Sequence, residues 1–263
     1  MTRDSCRLTL LGTGTSFGVP QIGCRCAVCR SSDPRDRRGR TAALIQSRDS
    51  RILIDTPPEL RLQLVREGVD RLDAVLYTHE HADHVNGIDD LRMFSLRRKA
   101  ALPVYGPQAA LDYATTAFPY IFDDTLTLPP GTSRPRLTLH RLDAGETTVV
   151  AGIAVLPLAL DHGGTRVFGY RLGSIAYVTD VKEVPADARH ALRGVRILVL
   201  SALWWRPHPT HQSIQEAIDV ALDIGAERTY LTHLSHETAH QALMARLPAG
   251  IEPGYDGLTV EVE

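Results

Sequence analysis

Short apolar runs of strand length recur along the chain, each bounded by polar residues, glycine or proline. Many of their residues are β-branched, and runs of this length and composition are typical of buried β-strands. The pattern is too rich in strands for a helical bundle and predicts an α/β fold. The predicted strands are Leu8–Leu11, Ala42–Gln46, Arg51–Asp55, Ala74–Thr78, Leu137–Leu142, Ile153–Leu160, Val167–Leu172, Ile175–Thr179, Ile197–Ser201, Thr229–Thr232 and Leu258–Val262.

Helices are predicted between some of these strands. The clearest has Thr56 as its N-cap, proline in its first turn and Gly68 as its stop. A second opens with the capping box Ser213-Ile-Gln-Glu216, in which each of the two polar side chains bonds the other residue's backbone N–H. The predicted ranges are Pro57–Glu67, Ser213 to Gly225, and a helix from about Gly87 that includes Asp90–Phe94.

The domain organisation follows from what the chain does not contain. It carries no short internal repeat, low-complexity segment or Ser/Gly/Pro-rich linker, so we expect a single domain over residues 1–263. The least regular stretch, Tyr113–Pro135, contains Pro119 and the sequence Pro129-Pro130-Gly131. We expect this stretch to form a loop that covers the functional site.

Composition narrows the class of protein. Hydrophobic residues make up 43% and charged residues 23% of the 263 positions, which predicts a folded chain with a substantial core. The formal net charge of −2 lacks the basic excess of proteins that bind long nucleic acids. No apolar run approaches the roughly 20 residues needed to cross a bilayer, and Leu8–Leu11 is interpreted as a strand rather than a signal peptide.

One dense motif, Thr78-His79-Glu80-His81-Ala82-Asp83-His84, follows an apolar strand directly. Three imidazoles and a carboxylate within six residues form a donor set that suits divalent first-row metals. The strand would deliver all four side chains into one turn, where they can hold two ions side by side. A solvated polar turn with chance histidines is the alternative interpretation.

This motif resembles the H-x-H-x-D-H signature of the metallo-β-lactamase superfamily, which matches His79, His81, Asp83 and His84 without a gap. The resemblance extends along nearly the whole chain and implies a four-layer αββα sandwich. It also implies a dinuclear site that is completed at strand ends by two later histidines and an aspartate. Here these are His162, Asp180 and His233.

The same resemblance distributes the ligands over two ions. It implies that one metal is held by His79, His81 and His162, that the other is held by Asp83, His84 and His233, and that Asp180 bridges them. Asp55 matches the family's supporting aspartate, which braces the metal-binding turn; a plain helix-entry residue is the alternative. Imidazole and carboxylate ligands accept Mn, Zn or Fe, so the two catalytic metals are expected to be Mn or Zn, with Fe as a further option.

Three of the four cysteines, Cys24, Cys26 and Cys29, lie too close together for ordinary disulfides among themselves. This spacing favours thiolate ligands of a metal in a reducing compartment, and hence a cytoplasmic protein. The surrounding pattern, from Gly12-Thr13-Gly14-Thr15-Ser16 through Cys29, resembles the branch that contains the phosphoribosyl cyclic phosphodiesterase. That resemblance implies a small zinc-bound loop near residues 20–30, with His236 as the fourth ligand of a structural zinc.

Two divalent ions with a bound hydroxide suit the hydrolysis of phosphodiesters, and also of lactones and thioesters. The segment His211-Gln212-Ser213 resembles the His-x-Ser element of the phosphodiesterase branches and favours phosphorus. Ser213 starts a helix whose N–H groups and dipole could bind a phosphate, and His211 could protonate the leaving oxygen. His211 and Asp83 are the predicted catalytic residues, with His208 as the competitor for the role of acid.

We therefore expect a dinuclear phosphoric diester hydrolase for a small cyclic phosphodiester, of the ribosyl 1,2-cyclic phosphate or 2′,3′-cyclic nucleotide type. A tRNA 3′-processing endonuclease is an alternative, although no basic Gly/Pro-rich arm is visible. A hydrolase or oxygenase related to pyrroloquinoline quinone biosynthesis is another. A metal-binding scaffold without turnover is disfavoured because no ligand is missing. The expected partner is a small phosphodiester, without a membrane or long nucleic acid, and a homodimer is left open.

Overall fold

The apolar runs form strands in the computed structural model, which describes residues 6–123 and 125–262. The strands are β1 (Cys6–Gly12), β2 (Ala42–Gln46), β3 (Arg51–Ile54), β4 (Ala74–Leu76), β5 (Leu102–Gly106), β6 (Leu137–Arg141), β7 (Thr148–Val150), β8 (Ile153–His162), β9 (Thr165–Leu172), β10 (Ile175–Val178), β11 (Ile197–Ser201), β12 (Arg228–Thr232), β13 (Ile251–Pro253) and β14 (Thr259–Val262). The helices are α1 (Leu60–Arg66), α2 (Ala82–Val85), α3 (Arg92–Arg98), α4 (Gln108–Ala117), α5 (Pro119–Phe122), α6 (Ala186–Leu192), α7 (Ile214–Ile224) and α8 (His240–Met244). Within the described residues, none of these helices has the length and apolar character needed to cross a membrane.

The strands form two mixed sheets of seven strands each. The first has the order β14-β1-β2-β3-β4-β5-β6, and the second has the order β13-β12-β11-β10-β9-β8-β7. Strands β3 to β6 are parallel neighbours in the first sheet, as are β10 to β13 in the second. Because parallel strands end at the same edge of a sheet, the loops that follow them share one side of the molecule, where binding sites of α/β proteins usually lie.

Apolar side chains are buried in three layers. Between the sheets, Ile54 and Leu76 of the first sheet belong to one cluster with Tyr177 and Val199 of the second. Helices α1 to α5 cover the outer face of the first sheet, and α6 to α8 cover the outer face of the second. The predicted four-layer αββα sandwich is therefore confirmed.

Two polar contacts join the sheets beside the histidine motif. The N–H of Phe168 on β9 donates to the carbonyl of Thr78 at 2.9 Å, and the hydroxyl of Tyr170 donates to the carbonyl of Tyr77. Both carbonyls belong to the segment that leads from β4 into the motif. The start of the motif is therefore held by both sheets, and its position depends on the packing of the whole sandwich.

The predicted helix Pro57–Glu67 is shorter in the structure, where it spans Leu60–Arg66. Thr56 does not cap it, because its hydroxyl bonds the Tyr77 hydroxyl at 2.9 Å and the Val85 carbonyl at 3.0 Å. The predicted helix near Gly87 begins as a 3₁₀ turn over Ile88–Leu91 and continues as α3. Only the helix after Ser213 has the predicted start and end.

Three short strands were not predicted: β5, β7 and β13. Two of them contain a proline, and all are five residues or fewer, so they carry little periodic signal. The stretch Tyr113–Pro135 is also more regular than expected, because α4 and α5 occupy its first part; Asp124 lies outside the described residues. Tyr113 and Tyr120 donate to Asn86 and Asp89, just beyond the histidine motif.

Candidate metal centre

The predicted metal ligands lie at strand ends from both sheets. His79 follows β4, Asp180 follows β10, His233 follows β12, and His162 is the last residue of β8. The ring centroid of His79 lies 4.1 Å from that of His84 and 5.9 Å from that of His162. The sandwich thus brings side chains from distant parts of the chain to one point.

Asp55, at the end of β3, fixes the motif in place. Its carboxylate is fully buried and accepts hydrogen bonds from the N–H of Thr78 at 2.8 Å and from the Thr78 hydroxyl at 2.9 Å. It also lies 2.8 Å from Nδ1 of His84, which donates to it. The supporting role of Asp55 is therefore confirmed, and Nε2 is the nitrogen of His84 that remains available to a metal.

Hydrogen bonds orient two further imidazoles in the same way. Nδ1 of His79 lies 2.9 Å from the Thr78 hydroxyl, and Nδ1 of His162 donates to the Thr210 carbonyl at 2.7 Å. The buried Nε2 atoms of His79, His84 and His233 have no hydrogen-bond partner among the described residues. A buried polar atom without a partner costs roughly 1–3 kcal/mol, and bound metal ions would remove this cost.

Asp180 lies at the centre of the cluster. One of its oxygens is 3.4 Å from Nε2 of His84, and the other is 3.3 Å from Nε2 of His233. Asp83 reaches the same nitrogen of His84 at 3.4 Å. Burial opposes ionisation of both carboxyls, but the neighbouring histidines lower the pKa of Asp180 well below its usual range and that of Asp83 to about 2. Both groups are therefore anionic at neutral pH, as metal ligands must be.

The charge of the cluster favours cations. Burial disfavours the protonated form of His84, yet Asp180 and Asp55 together raise its pKa well above the usual value. Burial instead lowers the pKa of His79 well below the usual value, which keeps that imidazole neutral and able to bind a metal. The raised pKa of His84 reflects the negative charge that Asp180 and Asp55 place around it, a charge that bound metal ions would neutralise in place of the proton.

Three residues of the site have left-handed backbone conformations: Asp55 with φ 63°, Asp180 with φ 48° and His233 with φ 58°. Asp, Asn and His are the side chains, apart from glycine, that tolerate this region best. Each such residue costs on the order of 1–3 kcal/mol and persists only where the surrounding structure imposes it. The three residues each follow a strand, so the backbone turns sharply where the ligands are placed.

The residues present fit divalent metal ions. Donor atoms of Asp83, Asp180 and His233 lie within 4.8 Å of one another, and so do those of His79, His84 and Asp180. Asp180 belongs to both groups and to a third with His162 and His211, so it lies at the centre of these donor atoms. His81 is exposed, and its ring centroid lies 4.5 Å from that of His79. The assignment of each ligand to one of two ions stays a prediction.

The predicted structural zinc site is also assembled. Nδ1 of His236 lies 3.2 Å, 3.6 Å and 3.5 Å from the Sγ atoms of Cys24, Cys26 and Cys29. In a tetrahedral site with Zn–S near 2.3 Å and Zn–N near 2.0 Å, sulfur and nitrogen lie roughly 3.5 Å apart. The N–H of Cys29 bonds the Cys26 sulfur at 3.4 Å and lowers the pKa of that thiol to about 6. The four side chains therefore fit one zinc ion.

Arg38, which follows the zinc-binding loop in the chain, is bonded to the segment that follows His233. Its buried guanidinium donates to the carbonyls of Ser235 at 2.7 Å and Thr238 at 3.0 Å and pairs with the buried Asp36 at 3.3 Å. Sequence reasoning missed this role, because an arginine in a polar loop has no sequence pattern that predicts its burial or its partners. The role of the Thr210 carbonyl in orienting His162 was also missed, because a backbone carbonyl is present in every residue and the residue type does not identify it as an acceptor.

His211 lies beside the metal ligands, as predicted. Its ring stacks on that of His233 with centroids 4.5 Å apart, and it meets the ring of His162 edge-on at 4.5 Å. His208 lies farther out, and its Nδ1 accepts a hydrogen bond from the N–H of Thr210 at 3.3 Å. Burial, and after it His233, lower the pKa of His211 to about 3, so its imidazole is neutral near pH 7.

Ser213 caps α7 in the structure, as its sequence context predicts. Its hydroxyl accepts from the N–H of Glu216 at 3.2 Å, and its own N–H donates to the Glu216 carboxylate at 2.7 Å. The N–H of Ile214 donates to the Trp204 carbonyl at 2.7 Å, and Ser213 is buried. The amides of Ile214 and Glu216 in the first turn of α7 are therefore bonded within the protein, and the phosphate contact at Ser213 stays a prediction.

Comparisons with known proteins identify the family of the chain. A family model described as a beta-lactamase superfamily domain matches residues 50–234. A crystal structure described as a new diphosphatase from the PhnP family is 41% identical to the chain, with a TM-score of 0.91, and the match covers 98% of this chain and 97% of that one. The chain belongs to the PhnP family of the beta-lactamase superfamily.

Curated relatives of this PhnP-family chain are longer than the chain itself. The octanoyltransferase of Porphyromonas gingivalis (strain ATCC BAA-308 / W83) is 43% identical over 260 residues, which are 98% of this chain but 52% of the relative. Ribonuclease Z of Bradyrhizobium sp. (strain ORS 278) is 29% identical over 74% of this chain and 59% of its own length. The chain thus spans between half and three fifths of these two relatives.

Replacing Asp55 with asparagine should weaken metal binding by the PhnP-family protein. The amide keeps the size of the side chain but removes the charge that holds the N–H of His84, and loss of such a brace typically lowers metal affinity about 10- to 100-fold. Metal content after dialysis against graded chelator concentrations measures the effect. Asp49→Asn, in the exposed turn between β2 and β3, is the control, and wild-type affinity in Asp55→Asn would contradict the assigned brace.

Cys26→Ser should remove the zinc from the zinc-binding loop and lower the melting temperature by about 10 °C or more, because zinc binding contributes directly to folding. Elemental analysis and thermal unfolding measure both effects on one sample. Cys6→Ser is the matched control, since this partly buried thiol lies outside the zinc cluster. If Cys26→Ser kept its zinc and its melting temperature, the structural site would be refuted.

Proposed function

We propose that this protein is a metal-dependent hydrolase that cleaves a phosphorus–oxygen bond in a small substrate. The reacting phosphorus of that substrate carries two ester or anhydride oxygens. The proposal rests on one observation, the convergence of imidazole nitrogens without hydrogen-bond partners and anionic carboxylates around Asp180. Such a mixed nitrogen and oxygen donor set suits a pair of divalent first-row metals.

The chain's own residues would hold these metals in a defined arrangement. One ion would bind His79, His81 and His162, the other would bind Asp83, His84 and His233, and Asp180 would lie between them. When bound, the metals supply a hydroxide nucleophile at neutral pH and neutralise charge on the phosphate oxygens. The hydrogen bonds that His84 donates to Asp55 and that His162 donates to the Thr210 carbonyl keep these two imidazoles in the required orientation.

A small cyclic phosphodiester, of the ribosyl 1,2-cyclic phosphate or 2′,3′-cyclic nucleotide type, is the first candidate substrate. The motif from Gly12 to Cys29, which resembles the cyclic phosphodiesterase branch, supports it. A diphosphate is the second candidate, because a relative that is 41% identical is described as a diphosphatase. In a cyclic phosphodiester and in a diphosphate that is esterified at both ends, the phosphorus bears two bridging oxygens, so the same in-line displacement serves both.

The two candidate substrates make different demands on His211. Opening a cyclic phosphodiester releases a strongly basic alkoxide, whereas cleavage of a diphosphate releases a weakly basic phosphate. A neutral His211 donates a hydrogen bond to an oxygen on which negative charge builds during the reaction. Its contribution should therefore increase with the basicity of the leaving group.

Other substrate classes have weaker support. The formal net charge of −2 does not favour long nucleic acid, although ribonuclease Z is among the relatives. The octanoyltransferase relative suggests an acyl thioester, but the chain spans 52% of that protein, so its name does not carry over to this region. Both classes are useful as comparison substrates.

The function is tested by assaying the protein loaded with Mn or Zn on a panel of substrates, with metal content measured on the same preparation. The panel contains bis-p-nitrophenyl phosphate, 2′,3′-cyclic AMP, a nucleoside diphosphate sugar, octanoyl-coenzyme A and a lactone. We expect turnover of at least one phosphorus substrate and its loss in Asp180→Asn and after chelation. Turnover of the lactone or the thioester without any phosphorus substrate would disprove the proposal.

His211→Ala should lower kcat by about 100-fold for a substrate with an alkoxide leaving group, because removal of one hydrogen-bond donor to a developing negative charge typically costs about 10²- to 10³-fold. The loss should be much smaller for p-nitrophenolate, which leaves without a proton. Metal content should stay at the wild-type value. An equal loss of kcat for both leaving groups would show that His211 acts in another way.

A further inference from the structure

We propose that the ion pair between Arg206 and Glu237 positions His211, and that both residues are therefore positioning residues of the metal centre. Arg206 lies in the β11 loop, residues 202–213, which carries His208 and His211. Glu237 lies in the β12 loop, residues 233–239, which carries His233 and His236. The inference rests on the proposed function of His211 and extends it to residues outside the cluster.

The two loops leave neighbouring parallel strands and begin side by side. The N–H of Ala202 donates to the Thr232 carbonyl at 2.8 Å, and the N–H of Ser235 donates to the Leu203 carbonyl at 3.1 Å. These backbone bonds fix the base of each loop next to β11 and β12. Farther from the strands, the two loops contact each other through side chains.

The ion pair between Arg206 and Glu237, called the clamp below, joins the two loops. The Arg206 guanidinium donates from Nη1 to Oε2 of Glu237 at 2.7 Å and from Nη2 to Oε1 at 2.5 Å, a bidentate pair. The guanidinium carbon also lies 4.0 Å from the centroid of the Trp204 ring. A planar arginine fork that is both bidentate and stacked is held in one orientation, which lysine could not reproduce.

A row of ring contacts leads from this clamp to the metal ligands. The Trp204 ring meets that of His208 at 5.3 Å, and His208 lies 5.2 Å from His211. His211 in turn stacks on His233. On the opposite side of the ion pair, Glu237 directly follows His236 of the zinc site. The pair therefore links the structural zinc site to the candidate catalytic histidine.

The exposure of the pair separates a positioning role from a stabilising one. The side chain of Arg206 is 60% exposed and that of Glu237 is 32% exposed. Ion pairs with this exposure contribute little to folding stability. Removal of the clamp should therefore leave the fold intact, so that a change in turnover can be attributed to the placement of His211.

The chain contains a matched control pair, Arg196 and Glu227. Nε of Arg196 donates to both carboxylate oxygens of Glu227, at 2.9 Å and 3.0 Å. Both ion pairs join an arginine and a glutamate that are 31 residues apart in sequence. Arg196 and Glu227 directly precede β11 and β12, so they tie the same two strands at the end away from the metal ligands.

The test compares Arg206→Met and Glu237→Gln with Arg196→Met. We expect both clamp variants to lower kcat about ten-fold, because small misplacements of catalytic groups have effects of this order or larger. Their KM, metal content and melting temperature should stay close to wild type. Arg196→Met should change kcat by less than about two-fold, as expected of a surface substitution away from the site. Wild-type kcat in both clamp variants would overturn the proposal.

A second comparison shows whether the clamp acts through His211. In a His211→Ala background, Arg206→Met should cause no further loss of kcat, because residues that act through one another are not additive. A full ten-fold additional loss in that background would overturn the proposal. It would assign Arg206 a role independent of His211.

A measurement without turnover keeps this test separate from the proposed function. In protein labelled with ¹⁵N-histidine, the ring resonances of His208 and His211 should shift in Arg206→Met and stay unchanged in Arg196→Met. If wild type turned over no phosphorus substrate, the proposed function would fail while these shifts still supported the clamp. Unchanged His211 resonances in Arg206→Met would overturn the clamp, whatever the activity of wild type.

Discussion

Burial of the Asp180 carboxylate is the constraint on which the rest of the site depends. An anionic group at this depth is strongly unfavourable unless positive charge surrounds it. The protein meets this requirement by directing imidazoles at Asp180 from the ends of several strands, and those imidazoles are in turn oriented by Asp55, Thr78 and Thr210. The sandwich therefore places side chains from several strand ends around one buried carboxylate, and the negative charge of that carboxylate favours bound cations.

The parts of the structure that were predictable from the sequence are those with local signals. The motif from His79 to His84 is dense enough to indicate metal chemistry by itself, and the capping box at Ser213 correctly marks the start of α7. The long apolar runs correctly predicted most of the strands. The resemblance to the metallo-β-lactamase superfamily then supplied the more distant ligands, His162, Asp180 and His233, which no local pattern would have joined.

The parts that were missed depend on tertiary contacts. Thr56 has the residue type and position of a helix cap, yet its hydroxyl bonds Tyr77 and Val85, so α1 begins later. At Ser213 the predicted cap is present, but the Trp204 carbonyl that accepts from the N–H of Ile214 was not predictable from residue type. Arg38 and the Arg206–Glu237 pair act across loops that are distant in sequence, where residue type gives no indication of the partner.

The left-handed backbone at Asp55, Asp180 and His233 also limits how the site can change during evolution. At these positions a new side chain must tolerate positive φ before its chemistry matters, which disfavours branched and bulky residues. Exchange of aspartate for glutamate would keep the charge but lose the shorter side chain that suits this conformation, while asparagine would suit the conformation but lose the charge. Substitution is therefore easier at His79, His84 and His162, whose backbone does not have this conformation, than at Asp55, Asp180 and His233.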